Sequence, residues 1–151
     1  MKRLALVLAP ALLSAADPAG VVYWTPKELS AYAEKLKPKM NEWKVASQTL
    51  NEFGNHLTMV AHREGDGEAE IHDTMADFFV VQSGEATLVT GGKMVDGKNT
   101  APGEHRAPKI DGGSRRKLAT GDIVHIPSKV PHQLLIEKGK QFTYFVVKVK
   151  E

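Results

Sequence analysis

From Trp43 onward the hydrophobic residues stop recurring at helical spacing and fall instead into short alternating runs. HLTMVAHRE, EAEIH, DFFVVQSG, EATLVTGG, GDIVHIP, HQLLIEKG and QFTYFVVKVK are rich in β-branched and aromatic residues and are split by Gly, Asp, Asn or Pro. GDGE (Gly65–Glu68) and QSGE (Gln82–Glu85) read as tight turns. With no helix between the strands, the chain is expected to fold as an antiparallel sandwich or barrel. No internal repeat is visible, and 151 residues fit one domain with a real core.

Ahead of the strands lies TPKELSAYAEKLKPKM. Thr25 and Glu28 have the spacing of a capping box, and Pro26 falls at the first helical position. Leu29, Tyr32, Ala33, Leu36 and Met40 share one face, so a single amphipathic helix is expected to lie against the strands.

The first residues follow a different logic. Residues 1–16 have a basic start (Lys2, Arg3), an apolar run from Leu4 to Leu13 and small residues at Ser14, Ala15 and Ala16. This is the pattern of a secretory signal peptide cut near Ala16, and it predicts a periplasmic or secreted protein of bacterial type. Pro10 in mid-run speaks against a buried helix there, and the run is too short to span a bilayer, so no membrane span is expected after cleavage. The expected organisation is signal peptide 1–16, linker and helix 17–42, and one β-domain 43–151.

Charge narrows the partners. The full chain has 20 basic and 18 acidic residues; without Lys2 and Arg3 the two signs balance. A balanced chain lacks the positive surplus needed to displace counterions from nucleic acid. No cysteine is present, so disulfides and thiolate ligands are excluded, and any metal must be held by imidazole and carboxylate. One segment stands apart. Gly91 to Gly121 is rich in Gly, Pro and charge, with seven basic residues against three acidic ones between Lys93 and Lys117. It is expected to be a solvated loop or a lid over a pocket, and Arg106, Arg115 and Arg116 would matter for an anionic ligand.

The chemistry concentrates elsewhere. Glu70 and His72 are two apart, so on a strand they point to one face. Asp77 follows a short bend, and His132 follows a proline-rich turn far along the chain. Two imidazoles with one or two carboxylates suit Fe(II), Mn(II) or Zn(II). Otherwise the four groups tie a polar interior together by hydrogen bonds, although buried carboxylates are costly without a cation or donors.

The spacing resembles the two motifs of the cupin superfamily. Glu70, His72, Asp77 and Gly84 fall in register with the first, and Gly121, Pro127, Lys129 and His132, in GDIVHIPSKVPH, with the second. The resemblance covers roughly Trp43 to Val149. It implies a small jelly-roll β-barrel, a divalent transition metal held inside by His72, His132, Glu70 and Asp77, a small-molecule ligand, and a homodimer. It also implies a range of activities: dioxygenase, isomerase, lyase, or a non-catalytic module that only binds a ligand or metal. The departures are Glu70 for the usual first histidine, Asp77 for the usual glutamate, Lys129 for the turn glycine, and Ile136 where asparagine is common. Glu70 can ligate a divalent ion or stand beside it as a general base. Asp77, one methylene shorter, either ligates or serves an imidazole as partner.

Other residues are weaker candidates. His56 and His62 share a predicted strand face, so either is a candidate to border the pocket, His62 first. His125 is a pocket candidate on the strand before the second turn, and Tyr144 is one through its hydroxyl. His105 is expected to be solvated. On the last strand, Phe142, Tyr144, Val146 and Lys148 face one way, while Thr143, Phe145, Val147 and Val149 face the other and are expected to form core.

Overall fold

The computed structural model describes residues 17–151; the proposed signal peptide, residues 1–16, lies outside the described residues. Helix α1 spans Pro26–Leu36. Thr25 Oγ1 accepts from the Glu28 amide at 3.1 Å, and Glu28 Oε2 accepts from the Thr25 amide at 2.8 Å, closing the capping box. Leu29, Tyr32 and Leu36 of α1, with Met40 just past its end, pack with Ala46, Val60 and Phe145, and Leu36 is fully buried.

Twelve strands follow among the described residues: β1 Val45–Glu52, β2 His56–Arg63, β3 Ala69–His72, β4 Met75–Thr90, β5 Lys93–Val95, β6 Lys98–Ala101, β7 Glu104–Ala107, β8 Lys109–Asp111, β9 Ser114–Ala119, β10 Ile123–Ile126, β11 His132–Leu135 and β12 Phe142–Lys150. All pairings are antiparallel, and the main path runs β1-β2-β12-β4-β11-β3-β7-β6. The 16-residue strand β4 joins two halves of a curled sheet. Its first part pairs with β12 and β10, and its second with β11 and β9. Phe79, Val81, Leu88, Leu118, Ile126, Leu134, Phe142, Tyr144 and Val146 fill the space between the halves. The expected all-β, jelly-roll barrel with one N-terminal helix is the fold observed.

Two expectations need correction. The segment from Gly91 to Gly121 is no loop: it forms β5 to β9 and buries Ala107, Ile110 and Leu118. Its strands are short and mostly polar because they form small ladders with one face in water, so they lack a long apolar alternation. The facing of β12 is also reversed. Phe142, Tyr144 and Val146 point into the barrel, and Phe145 packs outside, under α1. Both faces of β12 are apolar because the helix covers the outer one, and alternation alone therefore assigned the wrong side.

Gly84 sits where β4 passes from one half of the sheet to the other. Its φ is 83°, and a methyl group built there would collide with the carbonyl oxygen of Gln141. Backbone conformation and space thus both demand glycine. Gly84→Ala is expected to destabilise the barrel by about 2 kcal/mol or more, read as a lower urea midpoint; an unchanged midpoint would show that the crossing tolerates a side chain.

Candidate metal centre

Strand pairing explains how distant residues meet. Strand β3 lies between β7 and β11, with Glu70 opposite Arg106 on one side and His132 on the other. His72 stands two residues further along the same face, and Asp77 enters from β4, opposite Lys148 of β12. Ahead of His132, Lys129 takes φ 64°, the left-handed conformation for which the family pattern carries glycine, and its amide donates to the His72 carbonyl at 2.7 Å. The turn keeps its geometry and ties the second motif to the first.

Glu70, His72 and His132 each offer a ligand atom within 4.8 Å of the others. Glu70 Oε2 lies 3.4 Å from His72 Nε2 and 4.0 Å from His132 Nε2. Asp77 Oδ2 lies 3.4 Å from His72 Nε2 and 3.5 Å from His132 Nε2. Ligands about 2.1 Å from a tetrahedral ion stand about 3.4 Å apart, so these separations suit a divalent transition metal.

The tautomers fit as well. His132 Nδ1 donates to the Val130 carbonyl at 3.0 Å, which turns Nε2 toward the cluster; that atom is buried and has no hydrogen-bond partner. His72 Nδ1 faces both oxygens of Glu104 at 2.8 Å, so its Nε2 also turns toward the centre. An imidazole oriented by a carboxylate or carbonyl on its far nitrogen is a common arrangement for a metal ligand. Glu70 is likewise divided between two tasks. Its Oε1 receives Arg63 at 3.2 Å and Arg106 at 2.6 Å, leaving Oε2 for the imidazoles.

Lys148 completes the cluster. Its Nζ lies 2.7 Å from Asp77 Oδ1 and 2.8 Å from His72 Nε2. A nitrogen–nitrogen hydrogen bond holds one proton, so the Lys148–His72 pair carries a single positive charge whichever nitrogen bears it. Burial disfavours a charged His72, but hydrogen bonds to Asp77 and Glu70 outweigh it and raise its pKa to about 9. Burial would raise the carboxyls of Glu70 and Asp77. Hydrogen bonds from His72 and the charges of Arg63 and Arg106 instead hold Glu70 well below the usual range, while His132, His72 and Lys148 do the same for Asp77.

A cavity of about 250 Å³ opens beside the cluster, lined by Glu70, Asp77, Phe79, Arg106, His132 and Tyr144 among others. The Tyr144 hydroxyl accepts from Arg63 Nε at 2.8 Å. His62 does not border this cavity. Its neighbours Ala61 and Arg63 do, so alternation turns the buried His62 to the other face, where Nδ1 meets Thr143 Oγ1 at 2.8 Å. His125 stacks on Phe78 at 4.4 Å, away from the cavity, and His56 stacks on Phe53 at 4.5 Å. His105 is held on β7 by Asn99 and Asp73 rather than lying free in solvent. Arg63, Glu104 and Lys148 were not foreseen as site residues, because only the strand register reveals their partners. Arg106 was noted for its charge alone.

Groups whose folded pKa is depressed stabilise the fold above the ordinary carboxyl range and lose that contribution as pH falls. With chelator present, the melting temperature is therefore expected to drop below about pH 4. The drop should be shallower in Asp77→Asn, and an identical acid slope in both proteins would contradict the buried pairing of Asp77.

No protein-family model and no curated protein matches the chain. Solved structures do. An uncharacterized conserved protein with a double-stranded β-helix domain from Klebsiella pneumoniae aligns at TM-score 0.57 and 17% identity, over 84% of this chain and 88% of that one. The DMSP lyase DddQ from Ruegeria pomeroyi aligns at TM-score 0.50 and 18% identity over 70% of this chain, which spans only 47% of that protein's length. The polyketide cyclase RemF from Streptomyces resistomycificus aligns at TM-score 0.51 and 14% identity, over 72% of this chain and 66% of that one. With this topology and these structural neighbours, the chain has the double-stranded β-helix fold, the fold that the resemblance to cupins implies.

Proposed function

We propose that this protein is a metal-dependent enzyme acting on a small organic molecule held in the cavity beside Glu70, His72 and His132. The observation that carries the reading is the buried Nε2 of His132, without a hydrogen-bond partner and aimed at a carboxylate-rich cluster. Leaving such an atom unsatisfied is costly, and a cation would satisfy it.

His72, His132 and Glu70 would hold the ion, iron, manganese or zinc by their donor types, with Asp77 beside them. A bound ion of this kind polarises a carbonyl or enolate oxygen, or acidifies bound water. The chain's own groups do the rest. Glu104 and the Val130 carbonyl orient the two imidazoles, and Arg63 with Arg106 fixes the carboxylate of Glu70. Asp77 Oδ2, between the two imidazoles and held ionised by His132, His72 and Lys148, would help to neutralise the ion. Burial raises the pKa of Tyr144, which keeps its hydroxyl protonated at neutral pH, and Phe79 and Val146 supply apolar wall. A lyase and a cyclase among the structural neighbours support a small-molecule substrate. Among the described residues no helix is long and apolar enough to cross a membrane.

Metal analysis of the purified protein is expected to give about one divalent ion per chain. His132→Ala and His72→Ala should each lose it while keeping the β-sheet circular dichroism; full occupancy in both variants would remove the site. Oxygen uptake by iron-loaded protein with a screened substrate would select a dioxygenase, whereas turnover without oxygen would select an isomerase or lyase. Binding of a ligand without turnover would reduce the protein to a binding module.

Export is part of the same reading. It rests on the basic, apolar and small-residue order of residues 1–16. N-terminal sequencing of protein expressed in a bacterial host should begin near Asp17, in the periplasmic or secreted fraction. An intact Met1 on cytoplasmic material would contradict it.

A further inference from the structure

Lys148 stands apart from the other cations around the cavity. Arg63 and Arg106 both grip Glu70 through Oε1, on the side away from the imidazoles, and leave Oε2 free to face them. Lys148 approaches from the opposite strand and touches the imidazole side itself. Its Nζ is 2.8 Å from His72 Nε2, the atom through which His72 would bind an ion, and 2.7 Å from Asp77 Oδ1.

With Lys148 Nζ 2.8 Å from His72 Nε2, that nitrogen cannot also reach a divalent ion. We propose that Lys148 is a built-in competitor for the metal, the side chain that sets how tightly the centre holds its ion. The proposal rests on the reading of Glu70, His72 and His132 as a metal centre.

Three features make the competition direct. Strand register places Lys148 opposite Asp77, so the ammonium is delivered to the cluster by the backbone. The Lys148–His72 pair carries one positive charge, and it repels the ion at close range in a buried site. The lysine also has a retreat. Its side chain is 18% exposed and carries a flexible four-carbon stem, so it can swing out of the cluster without disturbing β12. The ion therefore enters against the cost of breaking the contacts with His72 and Asp77. His132 Nε2, which the lysine does not touch, remains open as the first point of attachment.

The test is calorimetric titration of the full chain with Mn²⁺ and with Zn²⁺, in wild type, Lys148→Met and Lys148→Arg. Methionine is unbranched and only one atom shorter, and it removes the charge and donors. It is expected to tighten ion binding tenfold or more, whereas arginine, still cationic, should leave it near the wild-type value. As a second readout, the rise in melting temperature on adding the ion should be larger in Lys148→Met than in wild type, since stabilisation grows with affinity. Equal or weaker binding by Lys148→Met overturns the proposal and leaves the metal centre standing. No binding of either ion by any of the three proteins overturns the metal centre, and the proposal with it.

Discussion

A carboxylate carried into a barrel interior must find a cation or several donors, and this barrel carries two of them, Glu70 and Asp77. The architecture around the cavity is organised by that demand. Arg63 from β2 and Arg106 from β7 converge on one oxygen of Glu70, and Lys148 from β12 meets one oxygen of Asp77. Each carboxylate thereby keeps its second oxygen facing the imidazoles of His72 and His132. The charges are balanced residue by residue rather than in bulk. Removing one partner would strand a buried charge, a far larger penalty than the loss of a surface ion pair.

The fold brings these groups together through very few contacts of register. His132 meets Glu70 through a single cross-strand pair between β11 and β3, and Lys129 secures the same junction by donating to the His72 carbonyl. Strand β7 then adds Arg106 opposite Glu70 and Glu104 opposite His72. The segment that supplies β7 is the least apolar part of the domain, yet it provides the carboxylate that orients His72 and one of the two guanidinium groups that anchor Glu70. Its value lies in the side chains it presents to its neighbours more than in the surface it buries.

Much of the barrel was legible in the sequence because its strands alternate and its turns carry glycine and proline. The helix was legible through Thr25, Pro26 and Glu28, whose chemistry is local. Glu70, His72, Asp77 and His132 could be singled out by spacing, and the structure does gather them. What escaped is non-local. Whether Lys148 or Phe145 looks inward depends on α1 covering the outer face of β12, which no pattern within β12 records. His62 looked like a pocket residue by its even spacing from His56, but the reference face itself was unknown. Arg63 and Glu104 acquire partners only through pairings between strands far apart in the chain. Strands β5 to β9 escaped because half-exposed ladders of three to six residues resemble loop sequence.

The central claim is that the interior of this barrel is built to grip one divalent cation. Anomalous diffraction from crystals soaked in manganese or zinc tests it most directly. The account predicts one strong peak within bonding distance of Glu70 Oε2, His72 Nε2 and His132 Nε2, with Lys148 drawn away from His72. Peaks confined to surface carboxylates, with the cluster empty and Lys148 still on His72 and Asp77, would contradict it.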